Sequence, residues 1–392
     1  MHFLHVIGSL NPADGGPPEV SRQFTRAYAA IGDTMEIVCQ DAPDSPFLKD
    51  FPCRVHALGQ RWMGRFGLSP RLWEWLHANV ERYDGVVVQG IWTFSGLATR
   101  HAVQSIGKPY CVFPHGTLDP WYNTEYPLKR LKKQIFWPIQ YPVLRDATAV
   151  FFTSDPEVVL AKECFTPNVW KSARYQNGIS DPLGDPAAEM SVFYNRLPQL
   201  RDRRYLLFLA RIQRKKGCDM LVDAFARVAG MAPDVDIVMA GHDQEGWQAG
   251  LQATAANLGI AHRIHWPGML TGELKWGALR AADAFILPSH TENFGIAVVE
   301  ALAARRPVLI TNKVNIWPEI HHDRVGLVED DSTDGIELLL RRWLEMSQAD
   351  RDAMAARCHP CFLRHYSLKE GPRAIHRAFE EALNDAPIAI AS

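Results

Sequence analysis

Apolar positions along this chain come in two rhythms. Short dense runs at residues 3–7, 36–39, 86–89, 109–113 and 149–153 read as strands of a buried sheet. Between them apolar residues recur every three or four positions, as in Val20, Phe24, Ala27, Tyr28 and Ile31, which is helical spacing. The pattern resumes with strands at 205–210, 234–241, 284–287 and 307–311. Leu221, Val222, Phe225 and Val228 share one helix face there, behind Asp219 as the expected N-cap. Strand and helix in alternation predict an α/β protein with mostly parallel sheets, whose ligands bind beyond the carboxyl ends of the strands.

At 392 residues the chain exceeds what one core usually supports, so two domains are expected. Residues 181–204 are rich in Pro, Gly and charge and read as the linker. The expected domains are 1–190 and 200–372, both Rossmann-like. Ser367 and Glu370 form a capping-box pattern before Ile375, Phe379 and Leu383, which predicts a last helix over about 373–392.

Composition narrows the function classes. A net charge of −2 argues against bulk nucleic-acid binding. No apolar run is long enough to span a bilayer, and the first residues lack the pattern of a secretory signal, so a cytoplasmic location is expected. Seven scattered cysteines suit reduced thiols. Cys358 and Cys361, with His365 nearby, have a suggestive spacing, but they lie in a helix-like segment without the preceding strand of a redox motif.

Candidate chemistry concentrates at turns that follow strands. After 284–287 comes a polar loop, 288–295, and then a helix from Ile296. Its backbone N–H groups point beyond the strand end, while Glu292 and Glu300 bracket the turn. Amides suit phosphate and carboxylates suit sugar hydroxyls, so the element fits a ligand with a phosphate centre and hydroxylated ends. Arg211 and Lys216 lie in an earlier strand-to-helix connection, where they could neutralise a diphosphate. His115 follows the strand at 109–113 beside Gly116, and Asp119 lies close by. Asp234-Val-Asp236 sits at the entry of its strand, the wrong end for a metal motif, so no metal site is expected. Residues 126–145 mix Lys129, Arg130, Lys132 and Lys133 with Ile135, Phe136, Trp137 and Ile139. That mixture suits either contact with anionic lipid or an ordinary surface helix. The aromatic stretch at 61–76 could shape a substrate site or touch membrane, and packing explains it as well.

The run PSHTENFGIAVVEALA, with Glu292 and Glu300 in it, resembles the signature of the retaining GT-B glycosyltransferases of family four (glycosyl transferases group 1). Arg211 and Lys216 before Gly217, His115, and Gly15 with Gly16 in the first loop resemble further motifs of that family. The departures are Ser180 after Asn177-Gly178, and Asn315 and Trp317 in a loop where the family has small residues. The resemblance implies a GT-B fold, two Rossmann-like domains facing across a cleft, with the last helix crossing back to the first domain. It implies His115 and Glu292 at the transferred sugar, and Gly16, Arg211, Lys216, Asn293, Phe294, Gly295 and Glu300 on the donor, with Asp119 on the acceptor side. The implied reaction moves a hexose from a GDP- or UDP-linked sugar to a glycan or lipid-linked acceptor in envelope polysaccharide synthesis, without cofactor or obligatory metal. Peripheral contact with an anionic membrane at the inner face is a further expectation. A nucleotide-sugar epimerase or hydrolase, or a non-catalytic sugar-nucleotide-binding module, stands as the alternative.

Overall fold

The computed structural model of the chain describes residues 1–12, 16–59, 61–243, 246–368 and 371–384. It divides into two compact units, Met1–Asn177 with the segment from Leu368 onward, and Gly178–Ser367. The first holds strands β1 (His2–Ile7), β2 (Thr34–Cys39), β3 (Val55–Ala57), β4 (Gly85–Gln89), β5 (Tyr110–Phe113), β6 (Ala149–Phe152) and β7 (Ser172–Arg174). They form one sheet in the order β3-β2-β1-β4-β5-β6-β7, parallel throughout. The second holds β8 (Arg204–Leu209), β9 (Val235–Ala240), β10 (Ile264–Gly268), β11 (Ala284–Leu287), β12 (Val308–Thr311) and β13 (Gly326–Glu329). Its order is β10-β9-β8-β11-β12-β13, again all parallel.

The central strands are apolar because helices cover both of their faces; β4, β9 and β11 are buried at every residue. Four strands escape the sequence pattern, namely β3, β7, β10 and β13. They lie at the ends of the two sheets, where half-exposed residues such as Val-His-Ala in β3 carry no continuous apolar run. In each sheet the strand order reverses once, between β1 and β4 and between β8 and β11. Loops at the carboxyl ends of such a pair splay apart and leave room for a ligand.

Three expectations need correction. The stretch taken as a linker contains the helix Pro186–Arg196, with Asp185 accepting the Ala187 N–H as its cap. Phe193 of that helix is fully buried, and Glu189 accepts a hydrogen bond from Arg280 at 2.5 Å, so the segment packs into the second unit. The units therefore meet in sequence at Asn177–Gly178, ahead of the expected boundary. Gly217, not Asp219, is the N-cap residue of helix Cys218–Val228. Asp219 instead lies in its first turn, where a carboxylate faces the positive end of the helix.

The last described helix is Gly371–Asn384. Ser367 donates its hydroxyl to the Leu363 carbonyl, and Glu370 of the expected capping box lies outside the described residues. Ile375 and Phe379 are buried, while Leu383 is exposed. Phe379 packs on Phe3 of β1 at 5.1 Å between rings, and His376 contacts Asp33 at 2.7 Å, which ties the helix to the first unit.

Asp236 explains the Asp-Val-Asp run. Buried in β9, it accepts from Arg203 at 2.5 Å and Arg263 at 2.9 Å, and contacts His265 at 2.8 Å. Its carboxylate is occupied by cations that join β8, β9 and β10.

Candidate active site

Two loops meet at the β8/β11 reversal. The loop after β8 carries Arg211 and Lys216, and the loop after β11 runs from Pro288 to Gly295. His290 donates its backbone N–H to the Lys215 carbonyl at 2.9 Å, joining them. Gly217 permits the approach. Its φ is +63°, and a Cβ there would stand 2.0 Å from the Pro288 carbonyl oxygen. Gly217→Ala is expected to destabilise the second unit by at least about 1–2 kcal/mol, the usual penalty for a side chain in the left-handed region, before the clash is counted. Thermal unfolding checks it; an unchanged Tm would show that the loops do not need this contact.

Lys216 donates to the carboxylate of Glu292, and both side chains are largely buried, at 10% and 17% exposure. Burial alone would push the Glu292 carboxyl up. Lys216, Lys215 and Arg211 outweigh it and hold the group below its ordinary value, hence ionised. Lys216 is drawn down from its ordinary value by burial, an effect that Glu292 opposes. Arg211 thus acts on the same pair, so three of the expected residues share one electrostatic site. The backbone of Glu292 is held too. Its N–H donates to the Lys313 carbonyl and its carbonyl accepts from Asn315 N–H, each at 2.9 Å. The loop that departs from the family pattern therefore braces the acid.

Gly295 (φ +72°) is the N-cap of helix Ile296–Ala303 and turns the chain from loop to helix. Asn293 is partly buried in that loop. Phe294 is buried edge-on to Tyr366 at 5.9 Å, so its ring anchors the loop to the core. Glu300 is 6% exposed and is therefore not a solvated surface charge. It accepts a 2.6 Å hydrogen bond from Lys275 of helix Gly272–Ala281. Beside this edge, Gly241 N–H bonds the Gly268 carbonyl at 2.9 Å and Ile212 N–H bonds the His242 carbonyl at 2.9 Å.

His115 and Asp119 belong to the first unit. His115 turns the chain out of β5 with φ +51°, and its Nε2 contacts Gln89 Oε1 at 2.5 Å. Gln89 Nε2 reaches His5 Nδ1 at 2.9 Å, and His5 Nε2 reaches the Tyr28 hydroxyl at 3.2 Å. An amide oxygen can only accept, so His115 carries its proton on Nε2 and presents Nδ1 as an acceptor. Burial lowers its pKa to about 4, and the ring is neutral near pH 7. Glu157, buried, accepts from Gly116 N–H at 3.0 Å and Thr153 N–H at 2.7 Å, and so pins this turn. Asp119 accepts from Trp121 N–H at 2.8 Å, the role of a turn residue before helix Trp121–Glu125. Gly16 opens helix Gly16–Ala29 after β1, whereas Gly15 lies outside the described residues.

The sequence matches two family profiles that between them span both units. Residues 15–169 match the glycosyl transferase 4-like domain, and residues 195–357 match the glycosyl transferases group 1. The chain belongs to the group 1 glycosyl transferases. D-inositol 3-phosphate glycosyltransferase of Segniliparus rotundus is 37% identical over 128 residues, which are 32% of this chain and 28% of that protein. Its namesake in Mycobacteroides abscessus is 32% identical over 42% of this chain and 38% of that protein. The matched stretches thus span well under half of these relatives. Mannosylfructose-phosphate synthase of Agrobacterium fabrum is 23% identical over 82% of this chain and 76% of its own. Among solved structures, the Anabaena protein HepE in complex with UDP and glucose superposes with a TM-score of 0.77 at 17% identity, covering 97% of this chain and 100% of that one. That likeness establishes the GT-B fold.

Reading from sequence misses what three residues do within their own units. In the second unit Lys275 bonds Glu300, in the first Glu157 holds the turn at Gly116, and no local motif marks either. Asn315 acts through its backbone, which a side-chain search overlooks. Cys358 is buried in helix Gln348–His365 and donates to the Met354 carbonyl at 3.4 Å. Burial pushes its thiol up to about 12 and raises that of Cys361 as well, opposite to a redox thiolate. Among the described residues one trio, Asp323, Cys361 and His365, brings potential ligand atoms within 4.8 Å of one another. Arg364 at 3.0 Å and His365 at 3.1 Å already engage Asp323 there.

Proposed function

We propose that this group 1 glycosyl transferase moves a hexose from a nucleotide-diphosphate sugar to an acceptor hydroxyl with retention at the anomeric carbon. The observation that carries the reading is the buried Lys216–Glu292 pair with Arg211 at the β8/β11 reversal. As the bond from C1 to the diphosphate oxygen breaks, negative charge grows on the leaving group. Arg211 and Lys216 meet that charge in a site poor in water, where a fixed cation stabilises it most. The amide end of helix Ile296–Ala303 adds a partial positive charge.

Glu292, relieved of Lys216 when the diphosphate takes the lysine, accepts hydrogen bonds from the sugar hydroxyls. Glu300 holds the ribose hydroxyls, and Lys275 keeps it oriented. In the first unit the neutral His115 ring accepts from a hydroxyl. The acceptor oxygen forms its bond to C1 on the face the leaving oxygen vacates, and its proton passes to that phosphate oxygen. No enzyme nucleophile is invoked. GDP- and UDP-linked donors both fit this chemistry, and the acceptor class is a glycan or lipid-linked hydroxyl.

Because Arg211, Lys215 and Lys216 supply the cationic charge, chelation by EDTA is expected to leave turnover unchanged, as measured by nucleotide release. A loss restored by a divalent ion would overturn that assignment. The function itself is tested with a panel of nucleotide sugars, by thermal shift for binding and mass spectrometry for product. Transfer to an acceptor supports it; nucleotide release or an epimerised sugar without any acceptor favours the epimerase or hydrolase.

Glu300 has its own signature. Glu300→Ala should raise donor KM about 10–100-fold, the worth of hydrogen bonds to a charged group, with a smaller change in kcat. The preference for a ribose over a 2′-deoxyribose donor should vanish with it. A KM unchanged by the substitution would place the ribose elsewhere.

A further inference from the structure

The helix Pro127–Arg145 presents its apolar residues to solvent. Leu128 (83% exposed), Leu131, Ile135 (67%) and Ile139 follow one another at spacings of three, four and four, a single stripe along the helix. Phe136, also exposed, widens it. The core is served by a different face, through Trp137, Gln140, Val143 and Leu144. The helix therefore has two apolar faces, and the ordinary surface-helix reading accounts for one. Isolated exposed leucines are common, but a continuous stripe of five large apolar side chains marks a surface made to be covered.

Charge says by what. Lys129, Arg130 and Lys132 are exposed, with Lys132 within the stripe and Lys129 at its edge, Lys133 follows, and no acidic residue occurs from Tyr126 to Arg145. Arg145 is matched by Asp146 at 2.6 Å and does not count toward the excess. A second copy of the face would set these cations against their own kind. No helix of the described residues is long and apolar enough to cross a membrane. We propose that this helix lies in the surface of an anionic bilayer, with Leu128, Leu131, Ile135, Phe136 and Ile139 among the acyl chains and the cations at the headgroups. From Leu128 to Ile139 the stripe runs about 16 Å at 1.5 Å per residue, parallel to the membrane. The proposal stands apart from the reaction, since vesicle binding needs neither donor nor acceptor.

The test is co-sedimentation of the full chain with vesicles of phosphatidylcholine alone, or of equal parts phosphatidylcholine and phosphatidylglycerol. Binding is expected to the anionic vesicles only, and to weaken as salt is raised. Leu131→Asn with Ile135→Asn should reduce it at least tenfold without lowering Tm, because both side chains are exposed. Lys129→Gln, Arg130→Gln and Lys132→Gln together should weaken it on the order of a hundredfold, about fivefold per charge. Equal binding to neutral vesicles, no binding at all, or unaltered binding by both variants would overturn the proposal. So would a concentration-dependent dimer abolished by the Leu131/Ile135 variant, which would assign the stripe to a second copy.

Discussion

Lys216→Ala is expected to lower kcat/KM by about 10²–10³, the range found when one preorganised charge-stabilising group is removed. The lysine is held by Glu292 beneath the loop that Gly217 brings against Pro288. Glu292→Gln should fall in the same range, because an amide neither orients Lys216 as an ion nor accepts from sugar hydroxyls with full charge. The two residues act as a unit, so the double variant should lose little more than either single one. Steady-state kinetics on all three, with thermal unfolding alongside, separates a site effect from loss of fold. Lys216→Ala also leaves a largely buried carboxylate without its nearest cation, and some loss of Tm accompanies the kinetic change. Lys216→Arg is not a conservative alternative, since a forked guanidinium does not fit where a compact ammonium is enclosed. Wild-type rates in both single variants would remove this site from the reaction.

The largest effect on stability is expected at Asp236. Removing its carboxylate leaves Arg263, whose side chain is 10% exposed, and Arg203 without their shared partner. Breaking a buried pair in this way costs about 3–5 kcal/mol, a large fraction of what a domain has. Asp236→Ala should therefore unfold the second unit at much lower temperature or denaturant concentration while the first unit stays folded, which two separated transitions would reveal. A pH dependence follows from the same group. Burial works against ionisation, but His265, Arg203 and Arg263 bring the pKa down to about 2. A carboxyl near 3.9 in the unfolded chain binds a proton first as pH falls. The stabilisation is thus complete above about pH 4 and is lost as pH drops toward 2, on the order of 2–3 kcal/mol. Acid titration of wild type against Asp236→Asn reads it, because the variant should lack that slope.

The acidic pair and the basic pair at the β8/β11 reversal were legible because each sits on a short piece of chain. Strand, glycine turn and helix follow one another there, and local spacing determines which side chains lie at a strand's exit. The central strands were legible for a related reason. A strand buried on both faces must be apolar at every position, and that leaves a mark in the sequence that periodicity finds. Edge strands such as Val55–Ala57 lack the mark because one flank faces solvent.

The helix Pro186–Arg196 was hidden by the prolines, glycines and charges around it. Its membership of the second unit depends on Arg280, ninety-one positions later, reaching Glu189.

What the sequence by itself determined is the α/β alternation, the place of the strand-to-helix connections after β8 and β11, and the four charged residues that they and the following helix carry. Only tertiary structure decided that Lys216 meets Glu292 and that Lys275 meets Glu300. It alone put His115 at the head of a hydrogen-bonded line through Gln89 and His5. Each of these partnerships joins separate strands or helices, and folding sets that distance while local periodicity does not. The same holds for the basic helix, where composition left two readings open. Which apolar face turns inward depends on the neighbours it packs against, and Trp137 and Val143 went in while Leu131 and Ile135 stayed out.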